Sequence, residues 1–188
     1  LHDCDSEIFS STFNLPSLPD TLGNESIFLS VSVEDGEVLL DPGATSAFGS
    51  IPAWEYFGET FRLAGFPFQT APSTQQFSSA NGNLDPGVLD YFLEFPLYVK
   101  RSQTYVMYRF RGTSVDCGPS SKAQTPILFP IKDIRALGFL VNFVDATAQL
   151  INLEDTTFNF RVATSSHFAF SLLKVVQQAW KNFTVGER

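Results

Sequence analysis

The chain has 188 residues, a length that suits one folded domain, or one domain with an appendage, and excludes two full-sized domains. Hydrophobic residues make up 44% of it and charged residues 17%, which is typical of a globular rather than a disordered protein. The formal net charge of -8 argues against DNA or RNA as a partner, because binding to phosphates requires clustered Lys and Arg.

The amino-terminal part of the chain is predicted to be an irregular arm followed by two strands. Residues 1–25 are polar and interrupted by Pro and Gly, so we expect them to lie on the surface. Residues 26–33 alternate apolar and polar side chains, which predicts a half-buried strand. An Asp-Gly pair at residues 35–36 indicates a hairpin turn, after which residues 37–40 return as a second strand that ends at Asp41.

The turn after this second strand is the stretch around which the rest of the sequence is organised. The apolar strand ends on the carboxylate of Asp41, and Pro42, Gly43 and Ala44 follow it. In an ordinary turn, Pro presets φ, Gly supplies a positive φ and the Asp side chain bonds back to the backbone. A strand that delivers an acid to a tight turn also places that acid where chemistry can take place. Taken alone, the stretch favours the ordinary turn.

The central part of the chain is predicted to contain one helix and several strands. Pro52 near the start, aromatic residues at helical spacing and Gly65 at the end predict a short helix over residues 51–65. A polar strand over residues 74–80 leads into Asn81-Gly82-Asn83, a strong signal for a tight turn. The longest strands are predicted at residues 88–99 and 104–112, with their turn at residues 100–103.

Short elements are predicted between these strands and residue 153. They are a loop at 116–124, a strand at 125–129, a helix at 131–137 closed by Gly138, and a hairpin of residues 139–143 and 148–153 that turns at Asp145-Ala146. Many short strands with two small helices predict a mostly β fold.

Residues 166–181 have the pattern of an amphipathic helix. Lys and Gln side chains occupy one face, and the other carries a broad apolar stripe of Phe168, Leu172, Leu173, Val175, Val176, Ala179 and Trp180. The stripe is expected to pack on the protein's own sheet or, in the sharper hypothesis, to bind a protein partner through Phe168, Leu172, Val176 and Trp180. The 20 Phe residues also favour exposed apolar patches suited to a partner.

Neither a metal site nor a cofactor is predicted. The two histidines, His2 and His167, lie far apart without the spacing of metal ligands. Cys4 and Cys117 are the only cysteines, and they either pair in an oxidising compartment or both stay free. No apolar run of about 18 residues exists, so no transmembrane segment is predicted. The chain begins at Leu1 rather than Met, which is compatible with a processed organellar or secretory precursor and leaves the compartment undefined.

Three stretches resemble the retropepsin-like aspartic proteases of retroviruses, long-terminal-repeat retrotransposons and their domesticated relatives. LLDPGATSAF (39–48) is similar to that family's Leu-Leu-Asp-Thr/Ser-Gly-Ala active-site turn, and FSSANGN (77–83) resembles the strand and turn that lead into its flap. TPILFPIKDIRALGFLVNFVDATAQLINL (125–153) is similar to the closing segment of retroelement members. The likeness spans roughly residues 26–153.

The resemblance implies a particular fold and domain organisation. It implies a mostly β, closed-barrel acid-protease lobe with short helices over residues 26–160. A polar amino-terminal arm at residues 1–25 and a carboxyl-terminal extension with the amphipathic helix at residues 161–188 lie outside the likeness.

The resemblance also implies an active site built from two chains. In this family, two facing carboxylates share one proton, so that one activates water while the other protonates the scissile carbonyl. The chain holds one such unit, so the resemblance implies a homodimer that contributes Asp41 twice. Gly43 and Ala44 would shape the floor of the substrate groove. The flap residues would be Ser79, Ala80, Asn81, Gly82 and Asn83, whereas Asp85 in a second Asp-Pro-Gly is interpreted as part of the flap turn.

Two departures from the family's pattern favour a non-catalytic domain. Pro42 stands where the family has a Thr or Ser whose hydroxyl bonds across the dimer axis, and Phe129-Pro130 stands where it has Gly. The favoured function is therefore a catalytically degenerate retropepsin-like domain, an interaction or structural subunit of a larger protein assembly. The alternatives are an active homodimeric aspartic endopeptidase and a module that grips an extended peptide without cutting it.

Overall fold

The computed structural model describes residues 36–78, 84–116, 125–163 and 167–186. Within these ranges the chain is mostly β, as predicted. The strands are β1 (Glu37–Asp41), β2 (Ala47–Ser50), β3 (Gln69–Pro72), β4 (Gln76–Ser78), β5 (Leu84–Val99), β6 (Thr104–Val115), β7 (Leu128–Pro130), β8 (Phe139–Asn142), β9 (Thr147–Leu150), β10 (Thr156–Asn159), β11 (Arg161–Val162) and β12 (Phe168–Ser171). The helices are α1 (Ile51–Leu63), α2 (Ile131–Leu137) and α3 (Leu172–Gly186), with a 3-10 turn at Ile151–Leu153.

The strands of the described ranges form three sheets. One has the order β11-β12-β1-β7, the second β2-β6-β5-β3 with β4 also paired to β5, and the third β10-β9-β8. β1 pairs antiparallel with β12 and parallel with β7, so it lies inside its sheet. Each of these strand orders is open, so the closed barrel that the resemblance implies is not found among the residues described.

The segment that contains β7 lies between β1 and β2. Leu39 N donates to Ile127 O at 2.9 Å on one side, and Ser50 N donates to Thr125 O at 3.0 Å on the other. Gly49 permits this close approach, because a Cβ at its position would lie 3.0 Å from the side chain of Ile127. Strand β1 is therefore fixed by a chain segment almost 90 residues away.

Helix α1 packs its aromatic face on the β5–β6 hairpin. Ser50 caps its amino end by accepting a hydrogen bond from Ala53 N, and Pro52 lies in the first turn, where a missing N–H costs nothing. Trp54 is buried, stacks on Tyr91 with ring centroids 4.7 Å apart, and donates Nε1–H to Thr113 O at 3.0 Å. The helix predicted over residues 51–65 is thus confirmed, two residues shorter at its end.

The carboxyl-terminal segment differs from the prediction. Residues 168–171 form β12, paired with β1 in the register Glu37 with Ser171 and Leu39 with Ala169, and the helix begins only at Leu172. Ser171 Oγ accepts from Lys174 N at 3.2 Å, and Leu172 N donates to Gly36 O at 2.9 Å. Pairing with the edge of β1 therefore makes the start of the predicted helix a strand. The segment after residue 160 shares the sheet and the core of β1.

Local turn signals were reliable elsewhere. Helix α2 ends at Gly138 with φ of 69°, the conformation that glycine adopts at little cost, and the turn at residues 100–103 joins β5 to β6. The hairpin of β8 and β9 is also confirmed. Five strands were not predicted, namely β2, β3, β10, β11 and β12. The strand predicted at 125–129 is β7 at Leu128–Pro130.

Some predictions fall on residues outside the described ranges. They concern the arm at 1–25, the strand at 26–33, the turn at 81–83, almost all of the loop at 116–124, and Cys4 and Cys117. Of the helices in the described ranges, none has the length and apolar character that crossing a membrane requires.

Candidate functional site

The turn that follows β1 presents Asp41 at the protein surface. Asp41 is the last residue of β1, where it is in register with Pro130 of β7, and it is half-buried. Pro42 and Gly43 are exposed, and Ala44 is half-buried. The strand therefore delivers its carboxylate to an accessible turn, as the sequence predicted.

The backbone of the turn holds one oxygen of that carboxylate. Gly43 N donates to Asp41 Oδ1 at 2.9 Å, and Ala44 N donates to Asp41 O at 3.1 Å. A Cβ on residue 43 would lie 3.2 Å from Asp41 Oδ1, so glycine permits the close approach. No other residue of the described ranges donates a hydrogen bond to the Asp41 carboxylate.

Helix α2 is hydrogen-bonded to the Asp41 turn. Ile131 N, at the start of α2, donates to Ala44 O at 3.2 Å, and β7 leads directly from its pairing with Asp41 into α2. The position of the Asp41 carboxylate consequently depends on how α2 is held.

A buried acid, which the sequence did not single out, holds α2. Asp133 in its first turn accepts a hydrogen bond on Oδ1 from the hydroxyl of Tyr108 on β6, and its buried Oδ2 has no hydrogen-bond partner among the described residues. Burial raises the pKa of Asp133, and burial together with the bond to Asp133 raises the pKa of Tyr108. A single Asp in a short helix carries no sequence signal for this environment, because Tyr108 lies 25 residues earlier.

The next predicted site residues are those of the flap. Ser79, Ala80, Asn81, Gly82 and Asn83 lie outside the described residues. On either side of them, β4 and β5 pair with Phe77 opposite Asp85. Asp85 is therefore a strand residue, which corrects its interpretation as part of a turn.

The side chains predicted to bind a partner on the carboxyl-terminal stripe are mostly buried or half-buried in the protein's own fold. Leu172 and Val176 are fully buried in the core, so they offer nothing to a partner. Phe168 lies on β12, half-buried between the rings of Phe143 and Phe160, and Trp180 is half-buried against Phe183. Of the two hypotheses for this stripe, packing on the protein's own sheet is the one observed.

Comparison with known proteins leaves the family resemblance as a prediction. No protein-family model matches the chain, and no curated protein matches its sequence significantly. The site must therefore be judged on its own geometry.

Proposed function

We propose that this chain is a retropepsin-like domain that has lost peptide-bond hydrolysis and serves as an interaction or structural subunit of a larger protein assembly. The observation that carries the proposal is the isolation of Asp41. Its carboxylate stands on an exposed turn, with the exposed ring of Pro42 beside it, and within the described part of the chain it is bonded only to the backbone of that turn.

Hydrolysis of the aspartic type needs two carboxylates that share a proton across a short distance. One chain supplies one Asp41, so the other carboxylate must come from a second copy whose turn meets the first. At that meeting point Pro42 supplies neither a hydroxyl nor a backbone N–H. Without these donors, two turns that carry negative charge have little to hold them in register.

The arrangement around Asp41 supports the family part of the proposal. An acid at the end of one strand, a second strand that begins six residues later, and a distant segment lying between the two would suit an acid-protease lobe. For the interaction part, the exposed apolar side chains Leu140, Phe143 and Val144 around the β8–β9 turn remain available to a protein partner.

An active homodimeric endopeptidase is the second candidate, and one observation favours it. The hydrogen bond from Gly43 N orients Asp41 Oδ1, and no described residue bonds to Oδ2, which is how a carboxylate that activates water would have to be presented. In that case Asp41 from two copies forms the dyad, and Gly43 and Ala44 line the floor of the groove.

Cleavage of casein or an extended peptide at mildly acid pH separates the two candidates. We expect no cleavage by the wild-type chain above the level of Asp41→Asn, and no effect of pepstatin. Pro42→Thr, which restores a hydroxyl and an N–H, tests the physical reason, with Pro42→Ala as the control that restores only the N–H. Gain of pepstatin-sensitive cleavage in Pro42→Thr alone would show that the missing hydroxyl disables the wild-type turn.

Pepstatin-sensitive cleavage by the wild-type chain, lost in Asp41→Asn, would overturn the proposal in favour of the endopeptidase. Sedimentation of the same samples supplies a second criterion, because a chain that stays monomeric cannot assemble the dyad. Tight binding of pepstatin without cleavage would instead favour the peptide-gripping module, which uses the same groove.

A further inference from the structure

Two buried aspartates of the described residues lie in opposite environments. Asp90 is 4% exposed and accepts hydrogen bonds from Arg111 Nη2 and Thr113 Oγ1, each at 2.6 Å. Asp133 is 1% exposed and receives one hydrogen bond, from the hydroxyl of Tyr108. The second oxygen of Asp133 is buried, and no residue in the described part of the chain bonds to it. The surroundings of Asp90 thus stabilise its ionised carboxylate, whereas those of Asp133 do not.

No cation forms an ion pair with Asp133 among the residues described, and Lys132 attracts its charged form only weakly from an exposed position. Lys132 and Arg135, on the same helix, are exposed and form no ion pair with it. From the elements packed against α2, β6 contributes the neutral phenol of Tyr108, whereas β7 and the 3-10 turn contribute no titratable side chain. An ionised carboxylate buried without a cation is strongly unfavourable, so the protein must keep a proton on it or open to water.

We propose that Asp133 is a neutral carboxylic acid in the folded protein and acts as a pH-dependent latch, holding α2 and the Asp41 turn in place while it stays protonated. Burial raises the pKa of Asp133 and outweighs the opposing effects of the Tyr108 hydroxyl and Lys132. Burial also disfavours the charged form of Asp90, but the hydrogen bonds from Thr113, Arg111 and Ser73 outweigh it and lower the pKa of Asp90.

The latch acts on the turn through two short connections. Asp133 is the third residue of α2, and Ile131 N in the same helical turn donates to Ala44 O. Pro130, which immediately precedes α2, is in register with Asp41. If the first turn of α2 opens to hydrate an ionised Asp133, the bond from Ile131 N to Ala44 O, which belongs to that turn, is lost with it. This coupling does not depend on whether Asp41 hydrolyses a peptide.

The direction of the pH dependence follows from proton linkage. The folded state binds the proton of Asp133 more tightly than the unfolded state, in which an Asp has a pKa of about 3.9. The stabilisation is therefore complete below about pH 3.9 and is lost as the pH rises through the higher pKa of the folded state. The turn is therefore expected to be held most firmly in acid and to loosen as the pH rises above about 3.9.

Carboxyl ¹³C NMR on the full chain tests the protonation state directly. We expect the Asp133 carboxyl carbon to titrate with a midpoint above that of an ordinary Asp, and Asp90 in the same spectra to titrate below it. Asp133→Asn assigns the signal by removing it. A midpoint for Asp133 at or below about 3.9 would overturn the proposal without any need for a variant to fold stably.

Hydrogen exchange tests the coupling to the turn. As the pH is raised above about 3.9, we expect the protection factor of the Ile131 amide, which is corrected for intrinsic exchange, to fall in the wild-type chain. It should stay constant in Asp133→Asn, where no carboxylate can ionise. Glu55→Gln, an exposed change on α1, serves as the control and should behave as wild type. Equal pH dependence in wild type and Asp133→Asn would refute the latch.

Discussion

Replacing Val176 by Ala tests whether the apolar stripe of α3 belongs to the core. Val176 is 0% exposed, so the change removes two buried methyl groups at about 0.8 kcal/mol each and leaves a cavity, for a total loss of about 2–3 kcal/mol. In a chain of this length the loss corresponds to a decrease in Tm of about 4–12 °C. Urea unfolding followed by fluorescence gives the free energy, and calorimetry gives Tm.

Val185→Ala is the matched control for this experiment. The same substitution in the same helix brings the same gain in helix propensity, but Val185 is 66% exposed, so its stability should change by less than about 0.5 kcal/mol. Equal stabilities of the two variants would refute the assignment of Val176 to the core. They would return the stripe to the partner hypothesis, in which Val176→Ala lowers affinity for a partner and leaves the isolated chain unaffected.

Three further substitutions test packing and charge elsewhere. Gly112→Ala should destabilise the protein by about 1–3 kcal/mol or more, because a Cβ there overlaps the indole ring of Trp54. Gly58→Ala, which meets no atom within 4 Å on α1, should raise stability by about 0.5–1 kcal/mol in the same thermal melts. Asp90→Asn should lower stability by about 1–3 kcal/mol at neutral pH, since it leaves Arg111 without its buried partner. Because the pKa of Asp90 is lowered by folding, its contribution is present above about pH 3.9 and lost below it, so Asp90→Asn should unfold less steeply in acid than wild type.

Elements with strong local signals were predictable from the sequence. Helix α2 was predicted with its observed bounds because Gly138 supplies the left-handed residue that ends it. Helix α1 followed from Pro52 and the spacing of Trp54, Phe57 and Phe61, which are all buried. The exposed Asp41 turn was likewise readable, because an apolar strand that ends on Asp-Pro-Gly has few other ways to continue.

Features that depend on distant partners were not predictable. Residues 168–171 fit a helical stripe as well as a strand, and the choice was made by β1, about 130 residues earlier. The environment of Asp133 on α2 likewise depends on Tyr108 of β6, and nothing near Asp133 in sequence indicates it. Asp85 was interpreted as part of the flap turn because its Asp-Pro-Gly follows the predicted turn at residues 81–83 rather than an apolar strand, whereas pairing with β4 extends β5 through it.

Of the two departures from the protease pattern, Pro42 and Phe129-Pro130, the fold accommodates the second. Phe129 is fully buried, with its ring 5.5 Å from Phe110 and 5.1 Å from Phe170, so its bulk fills the core beneath the Asp41 turn. Pro130 has the extended backbone of a helix N-cap, with φ of -83°, a value that proline adopts without strain. Both residues are accommodated. Of the two departures, only Pro42 still opposes the dyad of two Asp41 side chains, because its missing hydroxyl and N–H would matter only where two copies meet. Introducing a hydroxyl at position 42 is therefore the most direct test of whether the turn can be catalytic.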